Sequence, residues 1–189
     1  FILLGIDTGL TYFYWNNNDI YLRKSYIATS FSIIIITSAF LSILLYLLQG
    51  VLNEFYFNLN TDSFYGLVIL SIISQSFFLL SNKILRIKRI VFKYNVVIVV
   101  NAVSFVAFLL IFLSNEPKIE NFFISKIISF FLAFLLCLYF IKSSLNARPN
   151  FSRAKELVKY SIPLVPFAVT ATLMGVLDKV FINYYMDLS

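Results

Sequence analysis

The chain has 189 residues, of which 60% are hydrophobic and 13% are charged, and its mean hydropathy is +0.88. Soluble domains are about 45–50% apolar and about 25% charged, so the composition predicts an all-α, polytopic transmembrane helix bundle. The chain contains no histidine and one cysteine. This excludes histidine acid–base chemistry, Cys/His zinc sites and intrachain disulfides, and we expect neither a metal nor a cofactor.

The net charge is +6, and the charged residues lie between the hydrophobic runs. We therefore attribute the positive charge to membrane topology and expect no nucleic-acid partner. The chain begins with Phe1 inside an apolar phrase and stops at Ser189 without a recognisable tail. We expect it to be a fragment of a longer protein.

The hydrophobic runs predict the membrane segments, since crossing the hydrocarbon core takes about 20 apolar residues. Residues 1–15 resemble the end of a helix that is cut at its start. Four complete spans follow, and a last helix begins near residue 157 and contains the stretch "YSIPLVPFAVTATLMGVLDKVFINYYM". The four predicted spans are residues 25–49, 63–82, 94–114 and 122–141.

The connecting loops alternate between basic and non-basic. The loops at residues 16–24, 83–93 and 142–156 are rich in Lys and Arg, whereas the two loops between them are acidic or mixed. The positive-inside rule places the basic loops in the cytoplasm. Both outer loops are short, and neither is long enough to hold a catalytic domain.

Several predicted helices carry stripes of small or polar residues. Ser71, Ser74, Gln75 and Asn82 share one face, and Asn101 and Ser104 lie one turn apart. A third stripe follows at steps of four residues and contains Ser125, Ser129, Ala133 and Cys137. Interhelical packing explains most such stripes, and lining of a cavity is the alternative. The candidates for a cavity-facing position are Ser71, Gln75, Asn101 and Thr172.

The last helix carries small residues and then the adjacent charges Asp178 and Lys179 on one face. A charge facing lipid costs several kcal/mol, so such groups normally face the bundle interior or water. The alternative is an interfacial position near the outer headgroups. Pro163 and Pro166 remove backbone donors near the start of this helix and allow a kink.

The stretch "NKILRIKRIVFK" is the most basic in the chain. The positive-inside rule alone is enough to explain why this stretch is basic. Lys83 and Arg86 also lie at the cytoplasmic mouth of the bundle, and such side chains bind phosphate or diphosphate groups.

Three stretches carry a family resemblance: "LLGIDTGLTYFYW", "SNKILRIKRIVFKYNVV" and "ELVKYSIPLVPFAVTATLMGVLDKVFINYYMDLS". They resemble, in this order, the end of the second helix, the turn between the fourth and fifth helices, and the seventh helix of polysaccharide flippases. These are the O-antigen and exopolysaccharide translocases of the multidrug/oligosaccharidyl-lipid/polysaccharide exporter superfamily. The resemblance spans the whole chain.

The resemblance implies a two-lobed transporter in the bacterial cytoplasmic membrane. Residues 1–145 would finish the first lobe, residues 146–156 would form a cytoplasmic linker, and residues 157–189 would open the second lobe. Such proteins move a polyprenyl-diphosphate-linked oligosaccharide to the outer leaflet by alternating access, with the polyprenyl tail in membrane lipid. Na⁺ or H⁺ is a possible coupling ion.

The resemblance also implies a set of substrate-binding or ion-binding residues. Asp7 matches the acidic position after a glycine, and Arg86 matches the basic position that ends the fourth helix. Asp178 matches the acidic position of the seventh helix. Lys179 stands where Arg is common, which would weaken a bidentate grip on phosphate but keep the charge.

Two other functions remain open. An ion-coupled small-molecule exporter of the same superfamily would share the fold. A polysaccharide polymerase would require its catalytic groups to lie in a part of the protein outside this sequence. The sequence shows no nucleophile–base constellation and no paired carboxylates on one face. We therefore predict a transporter and not an enzyme.

Overall fold

A computed structural model describes residues 5–52, 62–115 and 118–167, together with the single positions 169, 170, 173, 174 and 177. The described residues form seven α-helices and two short 3₁₀ turns, and the turns lie at Lys142–Ser144 and Ile162–Leu164. The α-helices are α1 (Ile6–Asn16), α2 (Ile20–Leu47), α3 (Gln49–Leu52), α4 (Asp62–Ile87), α5 (Val91–Asn115), α6 (Ile119–Ile141) and α7 (Phe151–Ser161).

Four segments among the described residues are long and apolar enough to cross a membrane: Ile20–Leu47, Tyr65–Ile87, Val91–Ser114 and Ile119–Ser144. The prediction of an all-α, polytopic helix bundle is confirmed. The helices α1, α4 and α6 finish at the same end of the bundle at which α2 and α5 begin. We call this end, which carries most of the Lys and Arg side chains, the basic end.

The loops at the basic end are shorter than the sequence predicts. Helix α4 continues to Ile87 and includes Lys83 and Arg86, and α2 begins at Ile20. Hydropathy marks only the apolar part of a helix, whereas charged side chains continue a helix beyond the hydrocarbon core. The backbone N–H of Tyr21 donates to the Asp19 side chain at 2.8 Å, and this bond caps α2.

The predicted linker at residues 146–156 is partly helical. Helix α7 begins at Phe151, and its start is capped by the side chain of Asn150, which accepts a bond from Ser152 N at 2.8 Å. Hydropathy alone conceals this helix because its first turns are polar. The division of the chain into two lobes stays a prediction.

The core of the bundle is the packing of α6 against α4 and α5. The stripe on α6 faces inward, because Ser125, Ser129, Ala133 and Cys137 are all buried. Small side chains allow helix backbones to approach closely within a membrane. The packing interpretation of this stripe is confirmed.

Many hydroxyl groups in the helices bond to the backbone of their own helix. Ser125 Oγ donates to Asn121 O at 2.7 Å, and Ser81 Oγ donates to Phe77 O at 2.8 Å. Ser30 and Thr29 do the same on α2. Such bonds satisfy the hydroxyl without water, and they let serine-rich helices lie in an apolar environment.

Helix α7 packs against α1 and α2. The rings of Tyr12 and Tyr160 stack with centroids 4.7 Å apart. Gly9 allows the close approach, because a Cβ atom there would lie 2.9 Å from Ser161 Oγ. Ser161 is itself buried, so a larger side chain at Gly9 has little room.

The segment before α7 is bonded to the first turns of α2. Ser25 Oγ donates to Arg148 O at 3.0 Å, and Asn150 N donates to Thr29 Oγ1 at 3.1 Å. The Tyr26 hydroxyl donates to a Glu156 carboxylate oxygen. These contacts hold the connection between α6 and α7 against the basic end of α2.

A tight turn joins α4 to α5. Ile90 N donates to Leu85 O at 3.1 Å, Arg89 N donates to Arg86 O at 3.0 Å, and Arg89 has a φ of 57°. This is the bond pattern of a Schellman cap, in which glycine is usual at the left-handed position. The Arg89 guanidinium lies 4.5 Å from the centre of the Trp15 ring. This cation–π contact offsets part of the free-energy cost of the left-handed backbone conformation at Arg89.

The close contact at Gly9 predicts a stability difference between two glycine variants. Gly9→Leu should destabilise the protein by about 2 kcal/mol through overpacking between α1 and α7. Gly66→Leu is the matched control, since Gly66 also lies in a helix and has no atom near its missing Cβ. The thermal unfolding midpoint in detergent measures both, and equal midpoints would contradict the α1–α7 contact.

Candidate functional site

The first turn of α1 and the last turns of α4 place opposite charges together. Lys83 Nζ lies 3.3 Å from Asp7 Oδ2, and the two side chains form an ion pair. The side chains are 24% and 29% exposed, respectively. The pair therefore joins two helices at a site that is half-shielded from solvent.

The local structure explains why a carboxylate is stable here. Gly5 has a φ of 71° and precedes α1, and this left-handed conformation favours glycine. Asp7 follows in the first turn, where the positive end of the helix dipole favours an acidic side chain. Thr11 Oγ1 donates to Asp7 O at 2.8 Å and satisfies a backbone carbonyl of this turn.

The ion pair lines a cavity of about 280 Å³. Its polar wall also contains Asn82, Arg86 and Tyr94. Arg86 is exposed and has no acidic partner in the described part of the chain. We call the set Asp7, Asn82, Lys83, Arg86 and Tyr94 the charged cavity.

Asn82 adds an unsatisfied acceptor to the charged cavity. Its side chain is 8% exposed, and its Oδ1 atom is buried without a hydrogen-bond partner. A buried polar atom without a partner costs about 1–3 kcal/mol. A ligand with a hydroxyl or N–H group would supply the missing donor.

The charges of the cavity favour an anion. Lys83 and Arg86 outnumber the single carboxylate of Asp7, and the Arg86 guanidinium has no competing acidic partner. Guanidinium groups bind phosphate in a bidentate geometry, and ammonium groups bind it as point charges. The arrangement of Lys83 and Arg86 is suited to holding a phosphate group.

The structure brings together two of the predicted site residues, Asp7 and Arg86, which line one cavity. Ser71 is buried, and its hydroxyl donates to Val68 O at 2.9 Å. Gln75 is half-buried. Asn101 Oδ1 is buried without a partner on α5. Thr172, Asp178 and Lys179 lie outside the described residues.

The sequence predicts Lys83 beside Arg86 as a candidate phosphate ligand, but it does not predict that Lys83 pairs with Asp7. Asn82 lies four residues before Arg86, so helical spacing places the two on one face. Tyr94 is contributed by α5 across the tight turn and carries no sequence signal for this position.

The fold defines a multi-pass membrane protein, and the charged cavity lies among the basic side chains at one end of its bundle. A family model described as "Polysaccharide biosynthesis protein" matches residues 4–189. The chain belongs to this polysaccharide biosynthesis protein family, which confirms the family resemblance noted in the sequence. No curated protein and no solved structure shows a significant match.

The ion pair predicts energetic coupling between Asp7 and Lys83. Asp7→Asn and Lys83→Met should each destabilise the protein, and the double variant should cost about 1 kcal/mol less than the sum, because each single variant leaves an uncompensated half-buried charge. Thermal unfolding of all four proteins in detergent measures the coupling. Strictly additive effects would show that the contact contributes nothing.

Proposed function

We propose that the protein is a transporter that moves a polyprenyl-diphosphate-linked oligosaccharide across the bacterial cytoplasmic membrane during surface polysaccharide synthesis. The observation that carries the proposal is the charged cavity, in which Lys83 and Arg86 face one carboxylate at the basic end of a membrane bundle. Membership of a polysaccharide biosynthesis family supports a polysaccharide-related substrate.

The orientation of the cavity supports this direction of transport. The positive-inside rule assigns the basic end to the cytoplasm. The charged cavity lies at this end, which under our proposal is the side on which the lipid-linked substrate is loaded. The apolar outer surfaces of the spans face lipid, and the polyprenyl tail would stay there while the diphosphate enters the cavity.

The residues of the cavity have distinct roles in this proposal. Arg86 holds a phosphate oxygen pair through its planar guanidinium. Lys83 exchanges its bond to Asp7 for a bond to phosphate. In the absence of substrate, Asp7 compensates one of the two positive charges. Asn82 Oδ1 accepts a bond from a sugar hydroxyl, which satisfies an atom that is otherwise unpaired.

The proposal involves no covalent step. Translocation requires a site that opens to each side in turn, and we assign this change to rocking of two lobes. We extend the substrate path to Thr172, Asp178 and Lys179, with Asp178 available to bind Na⁺ or H⁺ as a coupling ion. A cationic cavity favours a diphosphate over the cationic drugs that many small-molecule exporters carry.

Deletion of the gene tests the proposed function. We expect complete polyprenyl-diphosphate-linked repeat units to accumulate on the cytoplasmic leaflet, measured by lipid extraction and leaflet-specific labelling. Repeat units that reach the outer leaflet without polymerising would indicate a polymerase. Unchanged lipid-linked glycans would contradict the proposal and favour the small-molecule exporter.

Variants at Arg86 test the charged cavity itself. Arg86→Gln should lower surface polysaccharide roughly tenfold at normal protein level, because a charge-assisted bond to phosphate contributes about 1.5–3 kcal/mol. Arg86→Lys should retain part of the activity, since it keeps the charge without the bidentate geometry. Lys155→Gln is the control, an exposed cation on α7. Full activity of Arg86→Gln would remove Arg86 from the site.

A further inference from the structure

The structure divides the most basic stretch of the chain between two sites. Lys83 and Arg86 line the charged cavity. Lys88 instead points toward the end of α6, where its Nζ donates to Ser144 Oγ at 2.6 Å. Lys93 lies on the same side, with its Nζ 5.1 Å from the centre of the Phe140 ring.

Lys24 on α2 lies within electrostatic range of Lys88. Burial is the main cause that lowers the pKa of Lys88, and the charges of Lys24 on α2 and Lys93 on α5 lower that pKa further. Ser144 is 2% exposed and lies between these elements. We call Lys24, Lys88, Lys93 and Ser144 the lysine cluster.

The lysine cluster has no acidic partner in the ranges that the structure describes, where the ion pair is Asp7–Lys83. The positive-inside rule explains why lysines occur in this loop. It does not explain why one of them is half-buried against a hydroxyl beside two others, since like charges repel. An anion at this position would offset both the repulsion and the burial.

The hydrogen-bonding groups of the cluster suit a phosphate. Each ammonium group offers three donors and accepts nothing. Ser144 accepts the bond from Lys88, so its hydroxyl proton is available to a further acceptor. The cluster therefore offers several donors to a single anionic group.

The surroundings of the cluster favour a lipid over a free phosphate. Phe92, which precedes Lys93, is 79% exposed. Tyr139 is 65% exposed, and the centre of its ring lies 5.0 Å from Lys142 Nζ at the same end of the bundle. Only 6% of the apolar stretch of α5 is buried within the bundle. This helix therefore has an exposed apolar surface that acyl chains can cover. Basic pockets between the ends of membrane helices are typical headgroup sites.

We propose that the lysine cluster binds the phosphate headgroup of an anionic phospholipid in the leaflet at the basic end of the bundle. Lys24, Lys88 and Lys93 surround the headgroup, and Ser144 donates to a phosphate oxygen. The acyl chains lie along the exposed surface of α5. This site is separate from the charged cavity, and the proposal does not depend on which substrate the protein carries.

Native mass spectrometry of the purified protein tests the site. The protein is delipidated in detergent and titrated with phosphatidylglycerol or with phosphatidylcholine of the same acyl chains. The variant is Lys88→Gln/Lys93→Gln, and the matched control is Lys155→Gln/Lys159→Gln, which removes the same charge from exposed positions on α7. Thermal unfolding midpoints verify that each protein is folded.

We expect the Lys88→Gln/Lys93→Gln variant to bind phosphatidylglycerol roughly thirtyfold more weakly, because each lysine near an anionic surface contributes about 1 kcal/mol. The control and Lys88→Arg/Lys93→Arg should bind phosphatidylglycerol as the original protein does. The affinity for phosphatidylcholine should be the same in all of these proteins. If the double Gln variant does not fold, Lys24→Gln is compared with Lys155→Gln, with a loss of about fivefold expected.

Three results would overturn the proposal. If the cluster variant and its α7 control lost the same affinity for phosphatidylglycerol, the effect would come from the overall charge of the protein and not from a specific site. Equal affinity of the original protein for the two lipids would remove the preference for an anionic headgroup. Displacement of phosphatidylglycerol by millimolar inorganic phosphate would identify a site for free anions.

Discussion

Within the hydrocarbon core the backbone polar groups must be satisfied inside the protein, and the rest of this structure depends on that constraint. Serine and threonine hydroxyls donate to carbonyls of their own helix, as Ser125 and Ser81 do. The helices then approach through small side chains, with Ala133 and Cys137 fully buried between α6 and its neighbours. Charges are excluded from these packed faces and collect at the helix ends.

The same constraint concentrates the charged side chains of the described structure at the basic end. Its charges fall into two groups. Lys83 and Arg86 on α4 line a cavity with Asp7 of α1, whereas Lys88, in the turn after α4, bonds to Ser144 at the end of α6. The carboxylate of Asp7 compensates one positive charge of the charged cavity, whereas the lysine cluster contains only cations and a hydroxyl group. Under our two proposals these groups bind different anions: the diphosphate of the substrate at the charged cavity and a phospholipid headgroup at the lysine cluster.

The sequence predicts the spans because hydropathy and loop charge report directly on transfer into lipid. It also predicts the buried face of α6, because steps of four residues define a helix face. It does not predict the pairing of Asp7 with Lys83, since these residues are distant in sequence and meet only after α1 packs beside α4. The helix beginning at Phe151 is missed for a similar reason, because tertiary contacts with α1 and α2 stabilise a polar segment.

The central claim is that the charged cavity engages a diphosphate for movement across the bilayer. Its most direct test is reconstitution of the purified protein into vesicles that carry a labelled polyprenyl-diphosphate-linked oligosaccharide in both leaflets. Accessibility of the label to an added quencher or glycosidase reports the rate of exchange between leaflets. We predict fast exchange with the original protein and slow exchange with the Lys83→Gln/Arg86→Gln variant. Exchange no faster than in protein-free vesicles, or equal rates for the two proteins, would contradict the account.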